Sequence, residues 1–124
     1  MSKNSGDTTP EKSEPKTLED ERQAVKKGDF FFAAFLVGPD DVRRSPVFII
    51  SNDNDPLDVI ACKCTSQPPR SELDVRVTLK KETYVRTNKI YTFPREQLLF
   101  RISQQAIPEE LERITVGLRK ALGL

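Results

Sequence analysis

Apolar residues are spread unevenly along this chain of 124 residues, and that spread bounds what it folds into. Residues 1–27 hold only Met1, Leu18, Ala24 and Val25 as apolar side chains, whereas Phe30–Val37 and Val47–Ile50 are nearly continuous apolar runs. Ordering a residue costs about 1–2 kcal/mol of backbone entropy, so a segment with nothing to bury does not order by itself. Residues 1–16 are therefore expected to be a mobile tail. Thr17–Lys27 is balanced between disorder and a short helix, with Thr17 as its cap and Asp20 three residues on. Residues 1–27 thus form a polar N-terminal tail, and residues 28–124 form one domain with one modest core.

The apolar runs have the length of strands and are closed by turn-forming residues. Asp29–Val37 reads as a buried strand, broken by Gly38, Pro39, Asp40 and Asp41. Pro46–Ser51 reads as a second strand, with proline at its first position, where a missing N–H does least harm. Leu57–Thr65 is a third. Asp74–Leu79 alternates, with Val75, Val77 and Leu79 on one face and Asp74, Arg76 and Thr78 on the other. Tyr84–Tyr91 and Leu98–Ile102 add two more. A helix ends the chain: Pro108 suits its first position, Glu109 and Glu110 its N-terminal turn, Arg119 and Lys120 its last turn, and Gly123 its cap. Leu111, Ile114, Leu118 and Leu122 make one apolar stripe for docking. This order predicts a mainly β fold, a small antiparallel barrel with a C-terminal helix.

Composition narrows the chemistry. Histidine is absent, which removes imidazole as base, triad member or metal ligand. Net charge is +1, from 20 Lys+Arg and 19 Asp+Glu, which argues against a polybasic protein but not against a local basic face. Cys62 and Cys64 share one strand face and read as small buried residues in a reducing compartment. No run approaches the ~20 apolar residues of a membrane span, and the N-terminus has no apolar signal core, so a soluble cytoplasmic protein is expected. Asp53, Asp55 and Asp58 crowd one turn, but Leu57 stands where a third calcium ligand belongs, so a plain turn is expected.

Two constellations remain. Between Arg70 and Arg101 stand Arg70, Arg76, Lys80, Lys81, Arg86, Lys89, Arg95 and Arg101 against Glu72, Asp74, Glu82 and Glu96, a local +4. A solvated strand face or a phosphate-tracking groove would account for it. The other is Arg43-Arg44-Ser45-Pro46 at the entry of strand two with Thr65-Ser66-Gln67 at the exit of strand three. In an antiparallel pair, those two ends share one rim, which sets guanidinium beside hydroxyl.

At these residues the chain resembles the MazF/PemK family of bacterial toxins. The resemblance rests on Gly28-Asp29 before an apolar strand, Pro46-Val47-Phe48-Ile49-Ile50-Ser51-Asn52-Asp53, and the strand ending Thr65-Ser66-Gln67. It continues through Tyr84-Val85-Arg86-Thr87-Asn88-Lys89-Ile90-Tyr91-Thr92 and the closing Leu118–Leu124 helix, in one consistent order from Gly28. The resemblance implies an SH3-like barrel, usually a homodimer, that cleaves single-stranded RNA without cofactor or metal and is held inactive by a cognate antitoxin. It also implies that an arginine before the strand-two proline and a threonine ending strand three serve the scissile phosphate. Thr65 matches the threonine, whereas Ser45 precedes Pro46 and Arg44 lies one residue further back. Some family members carry a carboxylate in the loop that here holds Asp40 and Asp41.

Such chemistry tolerates a histidine-free site. RNA carries its own nucleophile, the 2′-hydroxyl, so the protein must orient it and stabilise charge on the phosphorane. The expected catalytic residues are Arg44 and Thr65, with Arg43, Ser66, Gln67, Arg70 and Lys89 guiding the strand. The alternative is a non-catalytic barrel that binds RNA or a protein partner.

Overall fold

The computed structural model describes residues 17–52 and 55–124. The expected mobile tail over 1–16, and Asp53 of the acidic turn, lie outside the described residues. The chain runs α1 (Leu18–Gln23), β1 (Phe30–Gly38), β2 (Asp41–Ile49), β3 (Asp58–Thr65), β4 (Asp74–Thr78), β5 (Glu82–Pro94), β6 (Leu98–Ile102) and α2 (Pro108–Leu122). The six strands form one antiparallel sheet in the order β4-β5-β3-β2-β1-β6. The sheet curls into a barrel-like shape without closing between β4 and β6.

Burial explains the continuous apolar run of β1. Phe31, Ala33 and Phe35 point into one core with Val47, Ile49, Val59, Ala61, Phe93 and Leu98. Phe30 points the other way, into a second core with Phe48, Cys62, Cys64, Val75, Val77, Val85 and Ile114 of α2. A strand buried on both faces has no polar side to show, so its sequence cannot alternate. β4 covers only one face, and its valines alternate with exposed Arg76 and Thr78 as expected.

β2 begins five residues earlier than the sequence indicates, at Asp41 rather than Pro46. The expected break shrinks to a turn at Pro39-Asp40, because β1 keeps pairing with β2 out to Gly38↔Asp41. Pro46 is tolerated inside the strand because the β2–β3 ladder starts only at Val47↔Lys63, so Pro46 has β1 as its one partner. β5 is also longer than expected. Its register jumps from Cys62↔Ile90 to Cys64↔Val85, a kink that lets one strand pair with β3 on both sides of the jump and with β4 over Glu82–Arg86 at its start.

The two helices and the segments beside them are fastened to the sheet by specific contacts. Thr17 and Asp20 form a reciprocal cap on α1, the shorter helix the sequence allowed. Arg22 of α1 donates to the carbonyls of Leu98 and Glu96, both at 2.8 Å. Arg95 donates to the Arg22 carbonyl at 2.6 Å and to the Asp55 carbonyl at 2.7 Å. Buried Asp29 accepts from the Lys26 N–H at 3.1 Å and from Gln105 at 3.3 Å, with Arg101 3.7 Å away. At the other end, Glu110 accepts from the Ile107 N–H at 3.0 Å and the Thr78 N–H at 3.2 Å, which ties the start of α2 to the end of β4.

The docking seam of α2 differs from the expected leucine stripe. Glu110, Ile114 and Gly117 are buried and Leu118 half-buried, while Leu111 and Leu122 are exposed. Gly117 sets this seam: a Cβ there would lie 2.8 Å from Oγ1 of buried Thr87. The helix therefore approaches β5 along its glycine, and the two outer leucines fall beside the contact line. Gly117→Ala is expected to lower stability by about 1–3 kcal/mol, the usual cost of forcing extra volume into a packed contact, measured by thermal or urea unfolding. Asp74→Ala is expected to cost about 3–5 kcal/mol in the same assay, because it strands Arg86, whose buried guanidinium lies 3.4 Å from the Asp74 carboxylate.

Candidate functional site

The β2–β3 ladder holds only Val47↔Lys63, Phe48↔Cys62 and Ile49↔Ala61. Past Val47, β2 continues with β1 alone, while β3 runs on to pair Thr65 with Tyr84 of β5. Where the two strands part, a cavity of about 350 Å³ opens. Its wall carries three cations, Arg44, Lys63 and Lys81, and four hydroxyl residues, Ser45, Thr65, Ser66 and Thr83, beside Phe32, Pro46 and Cys64. Among the described residues, no carboxylate lines it. Among the described residues, none of the three cations has a carboxylate partner within ion-pair distance.

The pleat decides from which side each residue enters. Cross-strand partners share a face, so Ser45, opposite Ala33, and Lys63, opposite Val47, lie on the side of the Phe31 core. Thr65, two residues beyond Lys63, lies on that side too. Arg44, opposite Ala34, and Pro46, opposite Phe32, lie on the other side. The one-residue offset of the arginine thus moves it to the opposite face, and it still lines the cavity because the gap is open to both faces. The Oγ1 of Thr65 accepts from the Gln67 N–H at 3.1 Å, which leaves the hydroxyl hydrogen available to a ligand.

A second cavity, of about 380 Å³, shares Phe32, Pro46, Lys81 and Thr83 with the first and continues to Phe100 and Gln104. Phe32 and Phe100 are stacked there, ring centroids 5.1 Å apart. Together they make a groove with a cationic end and an aromatic end, the combination that holds single-stranded nucleic acid by phosphate and base. A larger cavity of about 490 Å³ under α1 is unsuited to an anion. Arg22 and Arg95 in its wall are occupied by backbone carbonyls, and Glu19, Asp58 and Glu96 share the lining.

Of the residues singled out in the sequence, Arg44, Thr65 and Ser66 come together in the first cavity. Arg43 lines a smaller adjoining one of about 160 Å³ with Arg44, Ser45 and Lys63, and its Nε lies 3.6 Å from Asp41. Asp41 opens β2 at the hairpin tip and Asp40 sits in the turn; neither lines the cavity. The Gln67 side chain, Arg70 and Lys89 are exposed and do not line it either. Half of the eight basic residues of the Arg70–Arg101 stretch have structural partners: Arg86 with Asp74, Arg101 with Asp29, Arg76 with Glu82, and Arg95 with carbonyls. Lys63 and Thr83 were not among the residues singled out in the sequence, and Lys81 stood there only as one member of the basic stretch. Alternation along β3 carries a signal for the first, since Val59, Ala61, Lys63 and Thr65 share one face.

In the described part of the acidic segment, Asp55 caps the backbone that follows it. Asp55 Oδ1 accepts from the Leu57 N–H at 2.8 Å and the Asp58 N–H at 3.1 Å, and these bonds hold its carboxyl below the usual aspartate range. Among the described residues, no group of three or more metal-ligating side chains gathers, and no helix is long and apolar enough to cross a membrane.

A family model described as PemK-like, MazF-like toxins of type II toxin–antitoxin systems matches residues 26–122. No curated protein matches in sequence. Among solved structures, the chain is similar to an endoribonuclease from a mycobacterial species in complex with its cognate antitoxin, with a TM-score of 0.70 at 23% identity over 82% of this chain and 97% of that one. MazF from Deinococcus radiodurans matches with a TM-score of 0.68 at 17% identity, over 81% of this chain and 97% of that one. The Mycobacterium tuberculosis toxin MazF-mt6 matches with a TM-score of 0.63 at 16% identity, over 77% and 97%. At these identities the likeness establishes the shared fold.

Burial pushes the Cys62 thiol up to about 12 and the Cys64 thiol well above its ordinary value, the latter raised further by Cys62. Both remain protonated and play no nucleophilic part near neutral pH. Native protein at pH 8 is expected to resist alkylation by iodoacetamide at both cysteines, with labelling appearing only on unfolding in guanidinium, as read by intact mass.

Proposed function

From the premise that the chain belongs to the PemK-like, MazF-like toxin family of type II toxin–antitoxin systems, we propose that it is an endoribonuclease cutting single-stranded RNA. The supporting observation is the carboxylate-free cavity in which Arg44 and Thr65 meet. In the reaction, the 2′-oxygen attacks the adjacent phosphorus and gives up its proton. The bond from phosphorus to the 5′-oxygen breaks, water takes the proton of the 2′-hydroxyl and supplies one to the departing 5′-oxygen, and the products are a 2′,3′-cyclic phosphate and a 5′-hydroxyl. Arg44 supplies a permanent cation with forked donors for the phosphate oxygens. Thr65, oriented by the Gln67 N–H, donates to the same group. A wall of cations and hydroxyls offers hard metal ions no oxygen cage, so the fixed charges take over the neutralising role and the reaction needs no metal or other cofactor.

Arg43 and Ser66 border the gap and guide the strand. Arg70 and Lys89, exposed outside the cavity, add long-range attraction for the polyanion. A neighbour of the same fold was solved with its cognate antitoxin, and this toxin too is held by a cognate antitoxin protein, as a homodimer in the cytoplasm.

Purified protein incubated with single-stranded RNA in EDTA is expected to cut it and leave cyclic-phosphate ends. Arg44→Ala and Thr65→Ala should each reduce the rate by about 10²–10³-fold, the usual loss on removing one charge-stabilising donor. DNA of the same sequence should stay intact for lack of the nucleophile. Intact RNA under these conditions, with the variants no different from the parent, would overturn the proposal.

A further inference from the structure

The cavity has two sides, and the proposed nuclease site uses a cation from only one of them. Arg44 enters from the Phe32–Pro46 side. The Thr65 hydroxyl enters from the side of Ser45 and Val47, where neither residue carries charge. Lys63 enters from that same side, two residues before Thr65 on β3 and diagonal to Ser45 across the end of the ladder. Its stem is half-buried, its Nζ lies 5.9 Å from the centre of the Phe35 ring, and it lines both the main cavity and the adjoining smaller one. Among the described residues, no carboxylate neutralises it.

A half-buried cation on a strand of the core, without an anionic partner, keeps its charge available to a bound anion. A dianionic phosphorane gives it a purpose. As the 2′-oxygen bonds to phosphorus and the 5′-oxygen departs, charge grows on two non-bridging oxygens that point in different directions. One cation from each side of the gap meets both. We propose that Lys63 is a further catalytic residue: its ammonium, beside the Thr65 hydroxyl, contacts one non-bridging oxygen of the scissile phosphate while Arg44 contacts the other. This rests on the ribonuclease reading of the site. Lys63 acts by charge and transfers no proton, so another permanent cation placed on the same side serves in its place.

The test is single-turnover cleavage of an RNA oligonucleotide by the full chain, alongside binding of the same strand with a 2′-deoxy nucleotide at the cut. Lys63→Ala is expected to slow cleavage by about 10²–10³-fold, while binding of the uncleavable strand weakens by less than about tenfold, the scale of one net hydrogen bond. Lys63→Arg should keep cleavage within about tenfold of the parent on the same scale. The double variant Ser45→Arg with Lys63→Ala should regain at least tenfold over Lys63→Ala, since position 45 shares the face of Thr65. Lys63→Met replaces Lys63→Ala if the latter fails to fold by circular dichroism. Parental cleavage by the Lys63 variants, with Arg44→Ala impaired, would overturn this proposal and leave the nuclease reading standing. Equal losses in binding and cleavage would make Lys63 a strand-attracting residue and overturn it as well. A parent that cleaves nothing would remove the nuclease reading itself, and this proposal with it.

Discussion

Burial of β1 on both faces is the constraint from which the rest of the structure follows. Phe30 and Phe31 are neighbours in sequence, project to opposite sides and are both inaccessible to solvent. One side needs a cover made of other strands, and curling the sheet provides it through Val59, Phe93 and Leu98. The other needs a separate element, and Ile114 of α2 supplies it. At about 25 cal/mol per Å² of apolar surface removed from water, each large side chain so placed contributes a few kcal/mol. No exposed pairing on this sheet matches that. The curl and the terminal helix are therefore two consequences of one apolar run.

The same curl opens the candidate site. β1 continues to its hairpin with β2, whereas β3 turns away to follow β5, so the β2–β3 ladder stops after a few residues. Where a ladder stops, backbone groups and side chains of both faces become reachable from one side. This is why a strand edge in the middle of a sheet gathers a lysine, an arginine and several hydroxyls in one cavity. It is also why a proline sits inside β2 without disrupting it, since one edge of the strand has no partner there.

Much of this was legible in the sequence, and the misses have physical causes. β1, β3, β4 and β6 were readable because apolar runs and alternation follow directly from burial. The start of β2 was not, since Asp41-Val42-Arg43-Arg44-Ser45 is polar and pairs only through its backbone with an apolar partner strand. Arg86 looked like a surface cation because its partner, Asp74, becomes adjacent only through the β4–β5 register. The α2 stripe misled because leucine spacing does not reveal that Gly117 permits the closest approach. Thr65 and Arg44 were found together because antiparallel pairing brings the entry of one strand to the exit of the next. Lys63 was passed over as one charge in an apolar strand, although its face was already fixed by its place between Ala61 and Thr65.

The open gap also bears on how the proposed site accommodates an arginine one residue away from the expected position. On a closed sheet, a shift of one residue sends a side chain to the wrong face, and no length of side chain recovers it. At the end of a ladder, the two faces meet in a single space, so the identity of the position matters less than its distance from the gap. Arginine is suited to such a shift because its forked guanidinium sits at the end of a long stem. A threonine is not, because its hydroxyl lies on Cβ. In this chain the short side chain holds the position ending β3, while the long cationic ones come from either side. The geometry of the proposed site is thus set more strictly by Thr65 than by the charges around it.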